Sequence, residues 1–459
     1  MAAAMRIERL IGALGLAGIL AGCAPHIAAP DTKFAARAYI HDQPPMTAQG
    51  AGGDWWKGFH NPALDALVAA GLTKNPAIAS QNALVAQAQS QAVAADGSFL
   101  PQINLNPNLS RQSYPTGPNG FPPYTIYSLV GNISYNPGLF GAASSVFRNG
   151  KALVAYQKAQ AQGAALALAG NIVTSVITRA GIIAQIKTTQ ALAQSEHDLL
   201  SVLQGEYQAG AIGQLPMLQQ QAEYQTTLAS LPGLQAQESV QSHRLAILTG
   251  TLPADFTAPA ITLDDFALPA AAPIEMPSLL VATRPDIVAA RALVAARYAA
   301  LGSATAALYP NLTLSAQGGY AAETLNTLFE PGSALWTLAG NLIAPLFNGF
   351  TLSANRNAAR HALAASLADY RTTVLGAFEQ VADGLRNLQF DALAVQANQQ
   401  AAQTAQAAYQ LAQAQYRLGA ADYTTVLSAE IARGQADLRL IQARTQYALD
   451  AALLDAAVA

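Results

Sequence analysis

The sequence predicts a mainly α-helical fold with a membrane β-barrel portion, built from two tandem repeats, each a β-hairpin plus a long helical hairpin. Three observations predict it. Matching residues recur at one constant offset, two pairs of segments alternate apolar and polar residues, and each pair precedes a proline-free run of roughly 66 residues at helical spacing. The offset is 209: Pro76 recurs as Pro285 (285 − 76), Pro101 as Pro310, Gly131-Asn132 as Gly340-Asn341, Tyr207 as Tyr416 and Gly210 as Gly419.

Residues 1–22 read as a secretory leader, because Arg6 and Arg9 precede an apolar run from Leu10 to Ala21 that is too short to span a bilayer. The run closes on Leu20-Ala21-Gly22-Cys23, the pattern of a bacterial lipobox, which makes Cys23 the expected lipidation site and the first residue of the mature chain. A chance cysteine in an ordinary leader is the alternative. Cys23 is the only cysteine, so internal disulfides and cysteine metal clusters are excluded, and covalent lipid is the only attached group expected. Acyl chains contribute about 0.8 kcal/mol per buried methylene, enough for a multiply acylated residue to hold a chain at a membrane.

Residues 23–74 form an N-terminal anchor segment with a short helix. Repeat 1 occupies 75–250, with helices about 76–97, 142–207 and 213–249 and strands about 102–110 and 124–136. Proline at position 76 suits the first helical turn, where a missing N–H costs nothing. In the first strand Ile103, Leu105 and Leu109 alternate with Asn104, Asn106 and Asn108. In the second, Tyr127, Leu129, Ile133 and Tyr135 alternate with Ser128, Asn132 and Ser134, so each strand has an apolar and a wet face.

The proline-rich stretch 251–283 reads as a linker. Repeat 2 spans 284–459, with strands about 311–319 and 334–345 and helices about 285–307, 351–416 and 422–456. Each helix of roughly 66 residues is about 100 Å long at 1.5 Å per residue, suited to a coiled-coil tube or stalk.

Strands of roughly 10 to 12 residues can cross a bilayer when tilted. Tyr127, Tyr135 and Trp336 fit an interfacial aromatic girdle. An amphipathic hairpin lying on a soluble core is the competing reading. If the strands do cross lipid, four cannot close, since transmembrane barrels need at least about 8. A homotrimer pooling 12 strands satisfies the requirement.

Composition narrows the remaining classes. The chain has 459 residues, 52% hydrophobic and 11% charged, with mean hydropathy +0.21 and a net charge of -3 that gives no reason to expect nucleic acid as partner. After the leader, polar interruptions leave no evident spanning helix. The six histidines (His26, His41, His60, His197, His243, His361) show no metal-ligand spacing, and phosphate-loop and nucleophile-elbow motifs are missing, so no catalytic or metal residues are assigned.

The segment Asp54-Trp55-Trp56-Lys57-Gly58-Phe59 with Asn61-Pro62-Ala63-Leu64, the prolines 101 and 310 ahead of the strands, and the Tyr-x-x-Gly turns resemble the TolC-like outer-membrane efflux proteins, in their lipidated subfamily. Asn61 departs from the usual aspartate. The resemblance covers nearly the whole mature chain. It implies a trimer with a 12-strand barrel on an α-helical tube, lipid-anchored in the bacterial outer membrane with the tube in the periplasm. It further implies a passive duct served by an inner-membrane transporter through a periplasmic adaptor.

A lipid-anchored periplasmic stalk or adaptor without its own pore is the alternative function. The family narrows its tube at the helix tips, which places the candidate gate at Tyr416, Arg417, Asp422, Tyr423 and Gln214. Three Asp422 carboxylates on a symmetry axis would repel one another, with Arg417 as a tether. Alternatively Asp422 caps the helix that follows it, since related lipoproteins carry an acid at the position of Ala421.

Overall fold

A computed structural model describes residues 27–32, 54–113, 123–266 and 281–459. The leader, Cys23 and parts of the N-terminal segment and linker lie outside the described residues. The helices are α1 (Pro62–Lys74), α2 (Pro76–Gly97), α3 (Ala142–Gln208), α4 (Gln214–Leu248), α5 (Pro285–Ala306), α6 (Thr351–Arg417) and α7 (Tyr423–Val458). The strands are β1 (Gln102–Gln112), β2 (Tyr124–Tyr135), β3 (Asn311–Ala322) and β4 (Ala334–Ile343). β1 and β3 run two or three residues past their expected ends, because the ladder continues through Arg111 and Tyr320 before the backbone turns.

The chain divides into two compact units. The first, Met1–Lys33 with Ala83–Ala159 and Val288–Thr372, holds the sheet and the adjoining helix portions. Its strands form one antiparallel sheet in the order β1-β2-β3-β4, so the hairpins of the two repeats are joined edge to edge by β2 and β3. A glycine is required at position 319 on that seam, since a Cβ there would overlap the Leu129 carbonyl.

Beside the sheet, α3 and α5 pack closely: Asn149 Nδ2 donates to the Ala296 carbonyl at 2.8 Å, and Gly302 leaves room for Ser145. Two tyrosines fasten the N-terminal segment. The Tyr298 hydroxyl donates to the Ile27 carbonyl at 2.6 Å and the Tyr370 hydroxyl to the Thr32 carbonyl at 2.8 Å.

The second unit comprises Phe34–Asn82, Gln160–Ile287 and Thr373–Ala459. Its core gathers Trp55, Trp56 and Phe59 from a short 3-10 turn, Leu64, Leu67 and Val68 from α1, and Ile172, Val173, Val176 and Ile177 from α3. Asn61 caps α1 through its Oδ1, which accepts from the amides of Ala63 and Leu64 at 3.0 and 3.1 Å. That is the role an aspartate would fill, so the departure from the family pattern leaves the cap intact.

The linker is more than a crossing. Ile261, Leu263 and Phe266 are buried in the same core, with Phe266 edge-on to Phe59 at 5.9 Å. One expectation needs correction: Leu139–Gln208 and Pro285–Ala306 are long and apolar enough, by length and composition, to cross a membrane. In the first of these Ile172, Val173 and Ile177 are fully buried in the core, and that burial accounts for their hydrophobicity.

Candidate functional site

Two regions carry functional geometry, one in each unit. In the first, the register sorts every paired residue onto one of two faces. One face presents Ile103, Leu105, Pro107 and Leu109 from β1 and Tyr127, Leu129, Gly131, Ile133 and Tyr135 from β2. It continues through Leu312, Leu314, Ala316, Gly318 and Tyr320 of β3 to Trp336, Leu338, Gly340 and Leu342 of β4. Arg111, paired with Thr125 at the far end of the β1–β2 ladder, is the one charged residue on this face among the described strands. The opposite face is mostly polar, with Asn104, Asn106, Asn108, Ser128, Asn132, Ser134, Thr313, Gln317 and Asn341, and is interrupted by Ile126, Val130, Leu335 and Ile343.

Both faces of the outer strands are open, and the apolar one is bare as well: Ile103 is 74% exposed, Trp336 77% and Leu338 75%. A water-soluble protein rarely leaves so broad an apolar surface bare. All three aromatics proposed for a girdle lie on this face. Tyr135 ends β2, whereas Tyr127 and Trp336 pair with Ala322 and Gly318 inside the ladder. Trp336 shares its row with Gly131 and Gly318, where a large side chain covers what the glycines leave open.

In the second unit the helical hairpins α3–α4 and α6–α7 end in glycine turns. Gly210 and Gly419 adopt φ of 73° and 69°, and the amides of Ala211 and Ala420 reach back to the Glu206 and Gln415 carbonyls at 2.8 and 2.9 Å, closing Schellman motifs. The tips then differ. Gly213 offers α4 no side-chain cap, while the Asp422 carboxylate accepts from the Thr425 amide at 3.0 Å and from the Thr424 and Thr425 hydroxyls at 2.8 Å. Those hydrogen bonds, the Thr424 hydroxyl first, hold the Asp422 carboxyl below its ordinary value. Asp422 therefore stands as the N-cap of α7.

No ion pair joins Arg417 to Asp422 among the described residues, so the expected tether is absent. Arg417 instead lines a cleft of about 270 Å³ with Tyr416, Glu206 and Asp198. The Tyr416 hydroxyl donates to Glu206 Oε2 at 2.6 Å, and the Tyr423 hydroxyl donates to Gln220 Oε1 at 2.5 Å. Burial, then the Glu206 contact, push the Tyr416 hydroxyl up to about 12. Gln214, the first residue of α4, is exposed.

A polar network that sequence reasoning missed lies along the same helices. Glu430 Oε1 accepts from Ser195 and Tyr409, each at 3.0 Å, and Gln220 donates to the Glu196 carbonyl at 3.1 Å. Thr227 donates to Glu196 Oε1 at 2.9 Å, and the Arg433 guanidinium sits 4.5 Å from the Tyr409 ring centroid. Glu196, Gln220 and Glu430 are fully buried, and Glu196 Oε2 has no hydrogen-bond partner among the described residues. Burial is the main cause that raises the Glu196 carboxyl to about 7; the Thr227 hydrogen bond opposes it and the Glu430 charge adds to it. A sequence signal existed: Glu430 follows Tyr423 and Val426 on the buried stripe of α7, where an apolar residue is expected.

The profile of the outer membrane efflux protein family matches residues 67–251 and 276–459. The chain belongs to that family. The pyoverdine export outer membrane protein OpmQ of Pseudomonas putida is 30% identical over 73% of this chain and 72% of its own length. The antibiotic efflux pump outer membrane protein ArpC of Pseudomonas putida is 28% identical over 83% of this chain and 82% of its own. Among solved structures, the outer-membrane channel OprN superposes with a TM-score of 0.88 at 24% identity over 95% of this chain and 98% of that one. The Campylobacter jejuni CmeC channel gives 0.84 at 20% identity, over 95% and 94%.

This efflux-family chain is thus a TolC-like outer-membrane channel subunit, and the poreless stalk reading is set aside. Its relatives are named as outer membrane proteins of export and efflux systems. The apolar and polar strand faces are the features of this chain that suit residence in the outer membrane.

Proposed function

We propose that three copies pool their strands into one 12-strand barrel whose apolar face meets lipid and whose polar face lines the duct. The observation that carries this reading is the bare apolar strand face on a sheet of only four strands. Such a sheet has two open edges, and each unpaired backbone group in lipid costs several kcal/mol. Acyl chains on Cys23 anchor the same chain to the outer membrane, and its helices extend into the periplasm.

Passage is passive. An inner-membrane transporter supplies the energy through a periplasmic adaptor, in line with relatives named as parts of efflux pumps. Those names cover pyoverdine, toluene and fusaric acid, so cargo choice rests with the pump rather than the duct.

The helix tips form the gate. Tyr416–Glu206 ties α6 to α3 and Tyr423–Gln220 ties α7 to α4, so separating the two helical hairpins of one chain breaks both contacts. Arg417 and Gln214 border the moving tips, while Asp422 keeps the second turn in shape.

Replacing Cys23 with serine separates anchor from barrel. The Cys23→Ser protein should still need detergent and still run as a trimer in size-exclusion chromatography with light scattering. A soluble monomer would overturn the barrel reading.

A further inference from the structure

We propose that a cleft under the N-terminal segment binds the phosphodiester headgroup of a membrane phospholipid. The cleft lies in the first unit, encloses about 310 Å³, and is lined by Ile27, Phe140, Ser144, Ser145, Arg148 and Tyr298 among others, none of the lining residues being acidic. The inference rests on the reading that Cys23 is acylated and that the strand face meets lipid.

Position is the first argument. The Tyr298 hydroxyl pins the Ile27 carbonyl at the cleft. Cys23 precedes Ile27 by four residues, a reach of at most about 14 Å for extended chain. An acylated Cys23 therefore holds the cleft within that distance of the bilayer surface. Arg148 lies about 9 Å along α3 from its first residue, just after β2 has left the apolar sheet face.

Charge is the second. Within the first unit, from Ala142 to Ala159, α3 carries Arg148, Lys151 and Lys158 and no acid. Arg148 donates through Nε to the Ser144 carbonyl at 3.1 Å and through Nη2 to the Ser144 hydroxyl at 3.3 Å. These contacts hold the guanidinium over the first turns of α3 and leave donors available for a phosphate oxygen.

Shape is the third. Phe140 closes the cleft wall, its ring stacked on Tyr309 at 5.2 Å.

Native mass spectrometry of the full-length protein in detergent tests the site, with phosphatidylglycerol as probe and inorganic phosphate as the free-anion control. The wild type should retain one phosphatidylglycerol per chain against excess phosphate. Arg148→Gln should lower that occupancy about tenfold, the loss of one charge-assisted contact, and Arg148→Lys should restore part of it. Equal retention by Arg148→Gln, or displacement of the lipid by phosphate, overturns the proposal. Arg148 is exposed, so its variants should keep the fold, to be checked by far-ultraviolet circular dichroism. The intact mass reports acylation separately: an unmodified Cys23 with Arg148-dependent lipid retention sinks the anchor and supports the site.

Discussion

Glu196 and Glu430 bring two carboxylates into the apolar interior of the helices near the tips. The Glu196 carboxyl stands at about 7, above its ordinary 4.5, so the folded chain holds this proton more tightly than the unfolded one. Its contribution to stability is full below pH about 4.5 and is lost as pH rises to about 7. Glu430, Glu223 and Arg433 share the surroundings that set this balance. Glu196→Gln should flatten the decline: thermal midpoints measured at pH 5 and pH 8 should differ less than in the wild type. An unchanged difference would assign the pH dependence elsewhere. At the tips, Tyr416→Phe removes the donor to Glu206 and should raise single-channel conductance in planar bilayers. Asp422→Ala should instead cost about 1 kcal/mol of stability through the lost cap, with conductance unaltered.

The strands and the helix pairs place opposite demands on their side chains. On the sheet, Leu338 and Asn341 lie on opposite faces of β4. A lysine at 338 should cost about 2–4 kcal/mol if that face meets lipid near the midplane, seen as reduced outer-membrane yield in fractionated cells, whereas Asn341→Lys should insert normally. Equal yields would argue against a lipid-facing side. Between helices, small residues set the spacing. A Cβ at Gly181 would stand 2.5 Å from Thr445 Oγ1, and one at Gly434 2.7 Å from a Leu192 methyl, so α3 and α7 approach closely at both points. Gly181→Ala should destabilise by about 1–3 kcal/mol through overpacking, read as a lowered thermal midpoint.

The repeat connects one chain to the next. Within a chain β2 pairs with β3 so that Gly131 faces Gly318. Applying the 209 offset to both strands sets Gly340 of β4 opposite Leu109 of β1 in a second copy. Gly340→Cys with Leu109→Cys should therefore give disulfide-linked oligomers, up to trimer, on non-reducing gels. A shifted pair such as Gly340→Cys with Gln112→Cys should not, and cross-linking without regard to register would break the quasi-equivalence.

Much of this was legible in advance. The hairpin faces, the long helices and the glycine turns follow from periodicities and turn chemistry contained in short windows, and the offset joining Pro76 to Pro285 is a property of the covalent chain alone. Two kinds of feature needed the tertiary structure. One is the β2–β3 seam, which merges the repeats into a single sheet by pairing strands that local alternation leaves unassigned. The other is the network in which Ser195 meets Glu430 across 235 positions and Tyr423 meets Gln220 across 203. Periodicity shows which face of a helix is buried but not which distant helix covers it. Whether a glutamate on that face is buried beside a tyrosine or left in water is therefore settled only when the helices pack.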